Sequence, residues 1–173
     1  MDALAIIQEL TQHMEWADSV VFSAILGNPK VEQDETLMNR LRHIHLVQKV
    51  FFDVWQTTPI DPHETNSLNA SELFEFAKSI HQDIRQFQGS LSADDLDRAI
   101  SLPWAQQVSG SLGFEIATPS LGQTLLQVSA HSSYHRGQVN VRLRELSMDP
   151  PMTDYIAWVW AHKPPPNWSA CNA

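Results

Sequence analysis

His131 and His135 stand four residues apart in the run His131-Ser132-Ser133-Tyr134-His135-Arg136-Gly137-Gln138. On a helix such a pair projects from one face with Cβ atoms roughly 5–6 Å apart, close enough for two imidazoles to share one metal ion. Eight histidines occur in 173 residues, and about 0.3 pairs at this spacing arise by chance, so spacing alone does not separate a metal site from a hydrogen-bonded seam. At 100° per residue, Thr124, His131, His135, Gln138 and Arg142 form a polar strip beside the apolar stripe Leu121, Leu125, Val128, Val139 and Leu143. That strip borders the core, where a bundle metal site is built. Ser132, not Glu, follows His131, which removes the general base of zinc peptidases. A metal held by neutral imidazoles keeps its 2+ charge and open positions, suited to Lewis-acid activation of water or a thiol. It needs a third ligand. Arg42-His43-Ile44-His45-Leu46 offers two, but His43 and His45 lie about 200° apart on a helix, and periodicity does not choose between them. His13, His63, His81 and His162 read as surface or loop residues.

The elements that carry these residues follow from periodicity. Leu4, Ile7, Leu10, Met14, Ala17, Val21 and Ile25 predict a first helix from Asp2 to about Leu26, stopped by Gly27-Asn28-Pro29. A second runs from about Gln33 to Gln56 on the stripe Leu37, Leu41, Ile44, Gln48, Phe51 and Trp55, and ends at Thr58-Pro59. Asn69 or Ser71 caps a third, which carries Leu73, Phe76, Ile80, Ile84 and Phe87 and closes at Gly89. The fourth begins near Thr118-Pro119-Ser120, holds the histidine pair, and stops before Asp149-Pro150-Pro151. Between the third and fourth, Ala99–Leu102 and Phe114–Ile116 are candidates for a small hairpin or an irregular excursion. Asp154 to His162 is a short terminal helix, and Pro164-Pro165-Pro166 begins a tail. The sum is an all-α chain, a four-helix bundle with a short insertion and a short C-terminal helix, in one domain over 1–173.

Composition narrows the function. The balance of 11 basic against 20 acidic residues gives a formal charge of −9, without the basic footprint of a phosphate-backbone binder, so no nucleic-acid partner is expected. The single cysteine, Cys171, excludes an internal disulfide framework and fits a reducing compartment. The start Met1-Asp2 has no basic leader and no apolar run reaches the ~20 residues of a bilayer span. A cytoplasmic chain without a membrane partner is the expectation. Trp55, Trp158 and Trp160 are spaced as core or cap residues, Arg136 and Arg142 as ion-pair partners, and Ser92–Asp97 as a solvated loop or helix start.

Read in order, three motifs resemble the DinB/YfiT-like family along essentially the whole chain. Glu15-Trp16-Ala17-Asp18 is similar to the family's aromatic-Ala-Asn pattern. Leu41-Arg42-His43-Ile44 is followed by Gln48 and Phe51. His131 to Gln138 is followed by Leu143-Arg144, Pro150-Pro151 and Asp154-Tyr155-Ile156. Ser147 stands where the family often has Gly, and Phe51 where Trp is frequent; neither touches a proposed ligand. The resemblance implies an up-down-down-up four-helix bundle, frequently a homodimer, with a divalent ion such as zinc or nickel on three histidines. Family register puts the ligand His before Ile or Leu, a polar residue five positions on and a large aromatic eight positions on. His43 meets this through Ile44, Gln48 and Phe51, whereas His45 puts Val50 and Asp53 there, so the implied ligands are His43, His131 and His135. The same register puts Trp16 near a possible cavity. Relatives imply a thiol S-transferase or hydrolase acting on a small molecule, with a low-molecular-weight thiol as co-substrate; Cys171 is a poor nucleophile candidate because it lies in a tail. The rival expectation is a non-catalytic metal- or ligand-binding stress-response module.

Overall fold

The computed structural model describes residues 2–169, and its described residues form seven α-helices, one 3-10 helix and no strand. These are α1 (Ala3–Ile25), α2 (Pro29–Glu32), α3 (Glu35–Gln56), α4 (Ala70–Gly89), the 3-10 helix Ala93–Asp97, α5 (Ala105–Leu112), α6 (Leu121–Glu145) and α7 (Tyr155–Trp160). The long helices start where side chains satisfy their first amides. Asp2 accepts from Ala5 N and Asp34 from Leu37 N, each at 2.8 Å. Asn69 with Glu72, and Ser120 with Gln123, form reciprocal capping boxes. Thr57, in the left-handed region at φ 58°, ends α3.

Side-chain contacts give the relative senses of the long helices. Asp34–Arg142 and Trp55–Thr124 run α3 and α6 antiparallel. Glu15–Arg85 and Asp18–His81 do the same for α1 and α4. Two apolar clusters fill the interior. One holds Phe22, Ile25, Leu37, Leu41, Leu73 and Leu143; the other holds Ile7, Met14, Trp55, Ile84, Leu121 and Leu125. On α1, α3 and α6 a buried polar layer falls between them, made of Asp18, His45, Gln48, Ser132 and Arg136.

Three expectations are corrected. The hairpin is absent: Ala99 and Ser120 make a single bridge, and Gly110 lies inside α5. Segments of three or four residues give too few ladder bonds to hold a strand pair. The turn after α1 contains the short helix α2, whose first residue, Pro29, is preset for that position. The proline segment does not trail away. Pro164 O accepts from Trp158 Nε1 at 3.0 Å, Asn167 N donates to Ser19 Oγ at 3.1 Å, and Trp168 sets its ring 5.5 Å from Phe74. A large apolar ring at the end of a stiff extended segment has more surface to bury than a tail needs, and the segment becomes a strap across α1 and α4. Cys171 lies outside the described residues.

Candidate metal centre

His43 comes from the middle of α3, and His131 and His135 from successive turns of α6. The seam between these helices is pinned above and below them. Arg40 Nη1 donates to Gln138 O at 2.7 Å on one side, and Trp55 Nε1 to Thr124 Oγ1 at 2.9 Å on the other. The structure brings the three imidazoles together, with one nitrogen of each within 4.8 Å of the others. Ring centroids are 5.1 Å apart for His43 and His131, 4.6 Å for His43 and His135, and 4.3 Å for His131 and His135.

The donor atoms suit a shared cation. His131 Nε2 and His43 Nε2 are 3.1 Å apart, against about 3.3 Å for two nitrogens bound at ~2.05 Å to one tetrahedral ion. His135 Nδ1 is engaged with Gln138 Oε1 at 2.9 Å. The amide oxygen only accepts, so Nδ1 carries a proton, which in a neutral ring leaves the Nε2 lone pair free, the arrangement that orients a ligating imidazole. Partial burial, followed by repulsion from His135 and His43, pushes His131 down to about 4; burial and His135 also hold His43 below the usual histidine range. Both imidazoles are neutral at neutral pH, the form a metal ion would require. His43 is exposed and the other two half-buried, so the group they form is open to solvent on one side. Tyr134 sets its ring edge-on to His135 at 5.0 Å.

His45, the alternative on α3, points into the core and belongs to a second group with Asp18 and His81, all three buried. Asp18 Oδ1 accepts from Arg136 Nη1 at 2.8 Å, and Oδ2 accepts from Gln48 Nε2 at 2.8 Å and His81 Nε2 at 2.9 Å. His45 Nδ1 donates to Gln48 Oε1 at 2.9 Å, and Gln48 Nε2 also reaches Ser132 Oγ at 3.1 Å. The carboxylate is saturated and a guanidinium sits beside it, so this group does not fit a second cation. Despite burial, the neighbouring Arg136 charge and the His81 hydrogen bond hold the Asp18 carboxyl well below the usual range.

Two histidines expected at the surface are therefore buried. His81 occupies the stripe Phe74, Ala77, Ile84 and Gln88 of α4, a spacing from which its burial was readable. His13 is buried against Trp16 and Trp158, with Nε2 2.9 Å from Thr153 O. Trp16 packs in that same group, not against the three clustered histidines. His63 and His162 are exposed. Arg142 pairs with Asp34 at 2.7 Å and Arg136 with Asp18, while Ser92–Asp97 supplies the 3-10 helix.

Fold and site together define an all-helical protein with a three-histidine group at a helix seam. The chain belongs to the DinB family, whose model matches residues 6–167, nearly its whole length. No curated protein matches it. No described helix is long and apolar enough to cross a membrane.

Proposed function

We propose that the chain is a divalent-metal protein whose ligands are His43, His131 and His135, with zinc or nickel as the cation and a small molecule as substrate. The observation that carries this reading is the convergence of three imidazole nitrogens on one point of the α3–α6 seam, with His135 held by Gln138. A bound cation supplies Lewis acidity that lowers the pKa of a coordinated water or thiol. The protein's own part is to hold three imidazole nitrogens in place and leave one side open, which fits thiol S-transfer or hydrolysis. The helix senses support an up-down-down-up four-helix bundle. Exposed apolar residues on α1 and α6, Ile6, Leu126 and Val141, support a homodimer, and the absence of a disulfide framework supports a reducing, cytoplasmic setting.

One observation favours the second reading, a metal- or ligand-binding module without catalysis. Clefts of about 530, 560 and 400 Å³ open elsewhere on the molecule, none lined by these histidines, whereas catalytic sites usually sit in a preformed pocket. Elemental analysis of untagged protein is expected to find about one divalent ion per chain, lost in His43→Ala and kept in His45→Ala. Loss in His45→Ala alone would overturn the ligand set. A thiol-conjugation screen with electrophiles then separates enzyme from binding module.

A further inference from the structure

The buried layer beside the three histidines has a property that neither group shows alone. Asp18 on α1 receives hydrogen bonds from Gln48 on α3, His81 on α4 and Arg136 on α6, so a single carboxylate links all four long helices. Its tether to α6, Arg136, and the Ser132 hydroxyl that Gln48 also reaches lie beside candidate ligands in sequence, and its tether to α3, Gln48, lies at a fixed offset from one. Ser132 and Arg136 each follow one of the α6 histidines directly, and Gln48 lies five residues beyond His43.

Rotation about a helix axis is what this adjacency fixes. Successive residues are turned by 100°, so holding Ser132 and Arg136 toward the core sets His131 and His135 one step round, onto the seam. Gln48, five residues on, is offset from His43 by about 140° on α3, and holding it inward turns His43 toward the same seam. Apolar clusters above and below the layer do not specify rotation as sharply, because apolar packing is non-directional. A buried polar contact does, since turning it out of register strands a donor or an anion.

We propose that Asp18 is a positioning residue of the metal centre, acting through Gln48 and Arg136 to set the rotational register in which His43, His131 and His135 converge. The proposal rests on the metal reading above. Asp18 touches none of the three ligands and sits on a helix that contributes none.

The test titrates metal-free protein with Co²⁺ and reads the visible ligand-field bands. Four proteins are compared: wild type, Gln48→Met, Asp18→Asn and Thr124→Val, with helicity checked by circular dichroism. Gln48→Met cuts the α3 tether but leaves the Asp18–Arg136 pair in place, so it decides the matter even if Asp18→Asn fails to fold. Thr124→Val removes a hydrogen bond from the same seam, outside the layer. Gln48→Met and Asp18→Asn are expected to bind Co²⁺ about tenfold more weakly, the size of loss seen when outer support of a ligand is removed, with altered bands. Thr124→Val should keep both affinity and spectrum. Wild-type affinity and bands in a folded Gln48→Met, or an equal loss in Thr124→Val, would overturn the positioning role alone. A wild-type chain that binds no Co²⁺ would overturn the metal reading and this proposal with it.

Discussion

The three-histidine group and the Asp18 layer use the same kinds of residue on overlapping helices, and they do opposite things. At the seam, His43 and His131 face each other with their nitrogens uncommitted to any carboxylate, and His135 has only its Nδ1 engaged. In the core, Asp18 accepts three hydrogen bonds and the charge of Arg136 balances its own. Metal-binding capacity is thus not a property of a His and Asp inventory. It depends on whether several lone pairs are left free at one point; burial commits both oxygens of Asp18, because a polar group out of water costs free energy unless it is paired, while His81 Nδ1 stays buried without a partner.

The sharpest way to break this comparison is to unbalance the buried side. Asp18→Ala leaves Arg136 as an uncompensated buried cation, and a loss of about 3–5 kcal/mol in unfolding free energy is expected. Urea denaturation reads it. A loss below about 1 kcal/mol would mean that the layer is wet and its ion pair screened, which would erase the contrast with the seam.

Acid acts on the same layer with a predictable sign. Burial pushes His45 down to about 4, while the unfolded chain titrates near 6.5. Between these values the unfolded state holds a proton that the folded state lacks, so stability is full above pH 6.5 and falls as pH drops toward 4, by on the order of 3 kcal/mol. His131, also lowered to about 4, adds the same sign more weakly because solvent screens it. Asp18, with its pKa depressed, keeps its stabilising contribution in full above the unfolded carboxylate value near 3.9 and loses it only below that. The slope of unfolding free energy between pH 7 and 4.5, in chelator-treated protein, should be shallower in His45→Leu than in wild type; equal slopes would remove His45 as its source.

The smallest expected effect sharpens the seam. Gln138→Met removes the acceptor that orients His135, and a tenfold loss of zinc affinity, about 1.4 kcal/mol, is expected at unchanged thermal stability. Competition with a chromophoric chelator measures it. Unchanged affinity would show that packing against Tyr134 and His43 holds the ring without Gln138.

The long helices were legible in sequence because each carries its own start signal and a 3.6-residue apolar stripe; Asn69, Ser120, Asp34 and Asp2 stand where the helices begin. The i, i+4 spacing of His131 and His135 was equally local. Periodicity left His43 and His45 equal, since both flank the same stripe, and motif register was needed to prefer His43. The structure puts His43 at the seam and His45 in the core because α3 packs on α6 along one side and closes the interior with the other. No single-helix signal encodes which side that is. The strap through Trp168 was hidden for the same reason, its value lying in partners on α1 and α4. The Asp18 layer is the clearest case of what only tertiary structure decided. Asp18, Gln48, His81 and Arg136 are separated by 30 to 118 residues from first to each of the others. Each is unremarkable on its own helix, and only their meeting in a water-poor interior turns four polar side chains into one hydrogen-bonded network, with His81 Nδ1 left buried and unpartnered.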